Sequence, residues 1–221
     1  MKYTVRVWDA PTRLFHWLLA VCVIGLVISA QIGGTAMEWH FRLGYTVFSL
    51  LLFRAVWGLV GGHWSRFRSF LYTPGQVLAY LGGRGDPNHS VGHNPLGAFS
   101  VIALLGFLFL QVGSGLISDD EIAAAGPLTR FVSSELVSMA TFYHKEVGKL
   151  ILLTLVALHL LAIAFYRVKK GENLIKPMLT GDKTLDFQAQ DARDRLGDRV
   201  KAIVILLVCA AITVGSLTWL S

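Results

Sequence analysis

Four stretches of this chain, residues 14–37, 95–118, 150–166 and 202–221, run without a single Asp, Glu, Lys or Arg, and a fifth, 43–60, is interrupted only by Arg54. A bilayer core about 30 Å thick needs roughly 20 apolar helical residues, so the pattern predicts five transmembrane helices. The shortest stretch extends backwards through Gly148 and His144 if Lys145, Glu146 and Lys149 reach the headgroups. With 15% charged residues, against about 25% in ordinary soluble domains, the chain is too apolar for a soluble enzyme. The expected fold class is all-α, one polytopic membrane bundle.

Other features narrow the class further. Cys22 and Cys209 both sit inside apolar runs and no CxxCH string occurs, which excludes a disulfide framework and covalent haem attachment. The net charge of +6 comes without a basic patch interleaved with aromatics, so nucleic acid is not an expected partner. Asp9 followed by Pro11 reads as the N-cap of the first helix, and Gly33–Gly34 as its end. A secretory leader cleaved after Ala30 is the weaker reading of this segment, because the apolar run is long and holds His16 and Trp17. Residues 129–143 form either an interfacial turn or a longer fourth helix.

Lys and Arg fall unevenly on alternate connections: fifteen lie in residues 1–13, 61–94 and 167–201, and four, Arg42, Arg130, Lys145 and Lys149, on the other side. Basic loops stay cytoplasmic, so the N-terminus is expected in the cytoplasm and the C-terminus on the outer side. Trp17, Trp39, Trp57, Trp64 and Trp219 lie near span ends and are expected to anchor there.

Four of the seven histidines, His16, His40, His144 and His159, lie within or at the ends of spans one, two and four. Ionisable groups in lipid are costly and mark function. Following the chain direction places His16 and His159 near the cytoplasmic face and His40 and His144 near the outer one. The fifteen residues between His144 and His159 span about 22 Å and return within about 60° of the same helix face. The consistent pairing is therefore His16 with His159 and His40 with His144. Paired imidazoles inside a bundle suit the axial positions of haem iron. Zinc fits less well, since it takes about four ligands and none joins the inner pair. The bland alternative is four structural histidines bonded to backbone carbonyls.

Small residues one turn beyond the histidines, Gly44 after His40, Gly148 after His144 and Ala20 after His16, would give a porphyrin clearance, although membrane helices also use small residues to pack. Arg54 lies fourteen residues beyond His40, near the depth of His16 and His159. An arginine there costs about 2.5–3.5 kcal/mol and calls for a carboxylate such as a haem propionate, unless it snorkels to the interface. Arg13 is a second such candidate. His63 and His89 are expected to be solvated. His93, in GHNPLGA, reads as a cap or propionate neighbour beside the N-cap Asn94 and Pro95.

The strings VWDAPTRLFHWLL, WHFRLGY, LLFRAVWGLVGG, GHNPLGA, HKEVGKLILLTLVALH and NLIKPMLTG resemble the bacterial cytochrome b-561 family and the cytochrome-b subunits of nickel-iron hydrogenases, over about residues 5–181. The resemblance implies a four-helix core holding two non-covalent b haems, with metal ligands at His16, His40, His144 and His159. It leaves residues 182–201, a charged cytoplasmic connector, and the fifth helix, 202–221, outside the shared core. The family's histidines on the fourth helix usually stand fourteen residues apart, against fifteen here; a helix irregularity or a longer outer turn would absorb the extra residue.

The expected function is electron transport in a respiratory chain, between a quinone pool or a cytoplasm-facing donor and a periplasmic c-type cytochrome or other redox protein. The chain is then either a carrier in its own right or one subunit of an oxidoreductase. Asp119, Asp120 and Glu121 would steer a basic partner. The competing class is a non-redox transporter or helical anchor, but transport predicts broken helices with charged midplane cavities, and Arg54 is the single strongly charged intrusion.

Overall fold

The computed structural model describes residues 1–120 and 124–220, with the side chains of residues 217–220 outside the description, so Glu121 and the Trp219 indole are not placed. In chain order the elements are β1 (Tyr3–Arg6), α1 (Ala10–Ile32), α2 (Ala36–Val60), α3 (Pro74–Leu81), α4 (Pro95–Leu116), α5 (Ser134–Phe142), α6 (Lys149–Lys169), α7 (Ile175–Thr180), β2 (Asp182–Leu185) and α8 (Leu196–Leu220). Among the described residues, five helical stretches are long and apolar enough to cross a membrane: Ala10–Ile32, Ala36–Val60, Pro95–Leu116, Ser134–Lys169 and Leu196–Ser216.

The first helix begins and ends where Asp9 and Gly33–Gly34 predict, so it starts ahead of the charge-free run 14–37. It starts at Ala10 because the Asp9 carboxylate caps it, accepting from the Thr12 backbone N–H at 2.8 Å, and it stops at Ile32 because Gly33 and Gly34 take φ of 65° and 53°, a left-handed turn that glycine makes without Cβ strain. Asn94 caps α4 as expected, its side-chain oxygen accepting from Gly97 N–H at 2.8 Å. The open question at residues 129–143 resolves toward a longer fourth span. After a short turn at Thr129–Phe131, Ser133 caps α5, and α5 runs into α6 through a π-helical turn at Tyr143–Gly148.

The chain divides into two packed units. The first comprises Met1–Trp17, Phe53–Ile102 and Leu158–Ile205. Here β1 pairs antiparallel with β2, Tyr3 opposite Leu185 and Arg6 opposite Asp182, over a small core of Val5, Val7, Trp8, Trp64, Val91, Leu185 and Ala192. The connector at residues 182–201 is therefore folded structure. Arg6 and Arg199 both pair with Asp194, and the Ala192 N–H donates to the Arg6 carbonyl at 2.7 Å.

Asp9 is fully buried in the same unit and accepts from Trp57 Nε1, the Gly62 N–H and Ser65 Oγ as well as from Thr12. Two of the expected interfacial anchors are accordingly internal. Trp57 is 1% exposed because its indole N–H turns to Asp9, and Trp64 is buried because its own donates to the Gln190 carbonyl at 2.7 Å. Trp39 is exposed as an anchor should be.

The second unit comprises Leu18–Leu52, Ala103–Ala157 and Leu206–Ser221. Ser49 Oγ donates to Thr213 Oγ1 at 2.9 Å in a buried contact that ties α8 to α2. Close approach of α1 and α2 depends on Gly25, where an added Cβ would lie 2.7 Å from the Leu43 side chain.

Candidate functional site

Within the second unit, His40 and His144 stand with ring centroids 6.2 Å apart and planes at 85°. Each ring is held by a backbone carbonyl. His40 Nδ1 lies 3.1 Å from the Leu26 oxygen and 3.3 Å from Ser29 Oγ. His144 Nδ1 lies 2.8 Å from the Gln111 oxygen and 3.2 Å from Ser114 Oγ. A carbonyl only accepts, so both Nδ1 atoms carry the proton and both Nε2 atoms keep a lone pair. A histidine whose other ring nitrogen donates to a backbone carbonyl is oriented to offer that lone pair to a metal.

The π-turn explains the fifteen-residue interval. A π-turn holds one residue more than the α-turn it replaces, and such turns gather at functional sites. His144 lies inside this turn, so the additional residue is absorbed there. Gln111 braces it from α4, its side-chain N–H₂ donating to the His144 carbonyl at 2.9 Å while its own carbonyl takes the His144 ring proton. Gly115 leaves room for the imidazole; an added Cβ would meet His144 Cε1 at 2.8 Å.

The two glycines singled out from sequence differ. Open space lies over Gly44, with nothing within 4 Å of an added Cβ, whereas the space at Gly148 holds the Gln111 carboxamide and the Tyr143 ring. Gly148 thus makes room for the brace on His144.

Within the first unit, His16 and His159 have ring centroids 6.4 Å apart and planes at 51°. His16 Nδ1 is buried without a partner. Arg54 is 3% exposed, so it does not snorkel to solvent. Its guanidinium lies 4.6 Å from the centroid of the Phe67 ring, which reaches that place because Gly58 has no side chain to block it. Arg54 makes no ion pair among the described residues, and its Nη1 is a buried donor with no acceptor. Arg13 is turned elsewhere, donating to the Leu179 carbonyl at 2.6 Å and lying 4.0 Å from Asp194.

His93 packs between Trp8 and Phe70, each ring centroid 4.6 Å away. Burial, reinforced by Arg54, His159 and His16, pushes its imidazole down to about 3, which keeps it neutral. Next to it, Asn94 Nδ2 donates to the Tyr166 hydroxyl at 2.7 Å, and Tyr166 and Tyr80 share a bond of 2.8 Å. His89 is not freely solvated: its ring stacks edge-on against Tyr72, and its Nδ1 is buried. His63 is half-buried against Trp64.

The two centroid separations carry chemical information. A metal–imidazole bond of about 2.0–2.1 Å plus about 1.1 Å from nitrogen to ring centre places two imidazoles sharing one ion with centroids about 6.2–6.4 Å apart. Among the described residues no group of three or more His, Cys, Asp or Glu is placed to hold a metal, so each pair offers two nitrogens and nothing more. A four-coordinate zinc is left short of ligands. A metal whose remaining positions are filled by a planar macrocycle fits, as does an anionic macrocycle substituent opposite the unpartnered Arg54 donor.

Sequence reasoning missed Gln111, Ser29, Ser114 and Gly115. A signal for Gln111 existed: it is the single amide in the 22 residues of α4, and a polar side chain there calls for a partner. Of the two described acidic residues proposed to steer a partner, the Asp120 carboxylate accepts from the Ala124 N–H, while Asp119 bonds Thr141 through its backbone N–H.

Comparison with known proteins gives one family match, the model of prokaryotic cytochrome b561, over residues 7–181. Among curated proteins the chain is similar to a probable Ni/Fe-hydrogenase B-type cytochrome subunit of Bradyrhizobium diazoefficiens, 24% identical with 81% of this chain and 86% of that protein covered. It is also similar to those of Azotobacter chroococcum, 28% identical with 80% and 87% covered, and Cupriavidus necator, 24% identical with 80% and 86% covered. No solved structure matches the chain.

Proposed function

Because the chain belongs to the prokaryotic cytochrome b561 family, and is thereby a membrane b-type cytochrome of electron transfer, we propose that it holds two b haems and relays single electrons from one face of the bacterial inner membrane to the other. One observation carries this reading: two separate histidine pairs, each at the spacing that one shared iron requires.

Bound haem b supplies a one-electron iron couple. The chain does the rest. His40 and His144 would hold one haem, their Nδ1 protons tied to the Leu26 and Gln111 carbonyls so that Nε2 faces the metal. His16 and His159 would hold the other, with Arg54 donating its unpartnered N–H to a propionate. Gly44 keeps a helix face low beside His40. Burial and the fixed charge of Arg54 tune the potential.

The Lys and Arg bias supports a cytoplasmic N-terminus and connector. The relatives' names point to service as the cytochrome subunit of a hydrogenase-like enzyme. The second partner is a quinone pool or a periplasmic cytochrome c.

The decisive experiment is a reduced-minus-oxidised spectrum and a pyridine haemochrome assay on the purified protein. The expected result is b-type bands with two haems per chain; a folded, colourless protein overturns the reading in favour of a transporter or anchor. A finer test is Gly115→Val. The added side chain meets the His144 ring, so we expect a protein with one haem and no change in the other haem's bands, whereas Gly113→Val, with open space around it, should keep both.

A further inference from the structure

The turn that follows α2 and the segment that precedes α8 meet at one corner of the first unit. An added Cβ at Gly62 would lie 3.3 Å from the Arg193 carbonyl and 3.5 Å from Ala192 Cβ, and Trp64 clamps the two segments through Gln190. The second span ends at Val60 and the fifth begins at Leu196, so this corner stands where two helices leave the lipid.

It carries Arg66, Arg68, Arg193 and Arg195. Among the described residues none of the four is in an ion pair. The neighbouring carboxylates are committed: Asp191 accepts from the Arg6 N–H at 2.7 Å, Asp194 pairs with Arg6 and Arg199, and Asp198 accepts from the Arg195 N–H. Partial burial, then Arg68 and Arg193, push the Arg66 guanidinium below its ordinary range; burial, then Arg66 and Arg68, lower His63. Arg66, Arg68 and Arg193 therefore sit within mutual electrostatic reach, and Arg195 follows Arg193 two residues on along the same segment. Arg66 is pre-oriented by its Nε–H bond to the Gly61 carbonyl at 3.0 Å, which leaves its terminal nitrogens uncommitted.

Unpaired guanidinium forks bind phosphate and carboxylate oxygens bidentately. At the end of a span, the phosphate within reach is a lipid headgroup's. Leu59, 71% exposed, and Leu196, 78% exposed, flank the cluster and offer apolar surface for acyl chains. We propose that this corner is a binding site for the phosphate group of an anionic phospholipid. Topology charges act by number and side; this cluster acts by its geometry, and that difference is measurable.

The test uses the full-length, haem-loaded protein in detergent, titrated with dioleoyl phosphatidylglycerol, dioleoyl phosphatidylcholine or inorganic phosphate and read by native mass spectrometry and thermal melting. Three double variants are compared: Arg66→Gln with Arg193→Gln, Arg68→Gln with Arg195→Gln, and, as a control of equal charge loss outside the corner, Lys169→Gln with Lys170→Gln. At about 1 kcal/mol for each basic residue near an anionic headgroup, each arginine double variant should weaken phosphatidylglycerol binding about 30-fold, while the lysine control keeps the wild-type affinity. Equal retention of both lipids by the wild type overturns the proposal, as does equal weakening in all three variants. Inorganic phosphate binding as tightly as phosphatidylglycerol assigns the corner to a soluble anion and overturns the lipid source.

Discussion

His16→Ala and His159→Ala should each yield a protein that has lost the same haem, with about half of the b-band amplitude remaining, and the double variant should lose no more than either single one. His40→Ala and His144→Ala should behave likewise for the other haem. The warrant is geometric. Iron held by two imidazoles loses its low-spin, six-coordinate state when either ligand goes, and two residues acting on one group are non-additive where independent residues add. His16 and His159 lie in one packed unit and His40 and His144 in the other, with ring separations of 6.4 and 6.2 Å. Low-temperature electron paramagnetic resonance checks the assignment, because the surviving low-spin signal must be identical in the two members of a pair. Different surviving signals in His16→Ala and His159→Ala would mean that the histidines partner other groups.

The spans were legible because lipid imposes a crude demand, roughly 20 apolar residues in a row, and a single strand of text displays it. The histidine pairing was legible for a related reason: helix rise converts residue number into depth, and only His16 with His159 and His40 with His144 share one. What escaped the reading was whatever depends on neighbours distant in sequence. Trp57 and Trp64 stand near span ends, as interfacial indoles do, yet Asp9 and the Gln190 carbonyl claim them. The bounds of α1 were legible in Asp9 and in Gly33–Gly34, but not that its first turn, including Thr12, is buried by contact with Ser65. The π-turn at Tyr143–Gly148 was visible only as a spacing one residue too long, and fixing its place required Gln111, a residue 33 positions away. Nor did the connector's mixed charge suggest a strand, since β2 exists through its pairing with β1.

Asp9→Ala should destabilise the protein by about 3–5 kcal/mol, because several buried donors are each left unsatisfied at about 1–3 kcal/mol, and should strip the His16/His159 haem preferentially. The competing expectation is about 1 kcal/mol, the usual loss for an N-cap replaced by alanine. Magnitude decides between them. If Asp9 only capped α1, the Thr12 N–H would be the sole donor released. In the structure the carboxylate is fully buried and also receives Trp57 Nε1 at 3.3 Å, the Gly62 N–H at 3.1 Å and Ser65 Oγ at 2.8 Å. Its removal leaves those donors unsatisfied and takes a negative charge from the unit that holds Arg54. Asp9 joins the start of α1 to the end of α2, so both His16 and Arg54 depend on it for position. Denaturant unfolding in detergent, followed by tryptophan fluorescence and by haem absorbance, separates the cases. Trp57→Phe, which deletes one donor and keeps the ring's packing, should cost about 1 kcal/mol. If Asp9→Ala costs no more than Trp57→Phe and keeps both haems, Asp9 is a cap and nothing else.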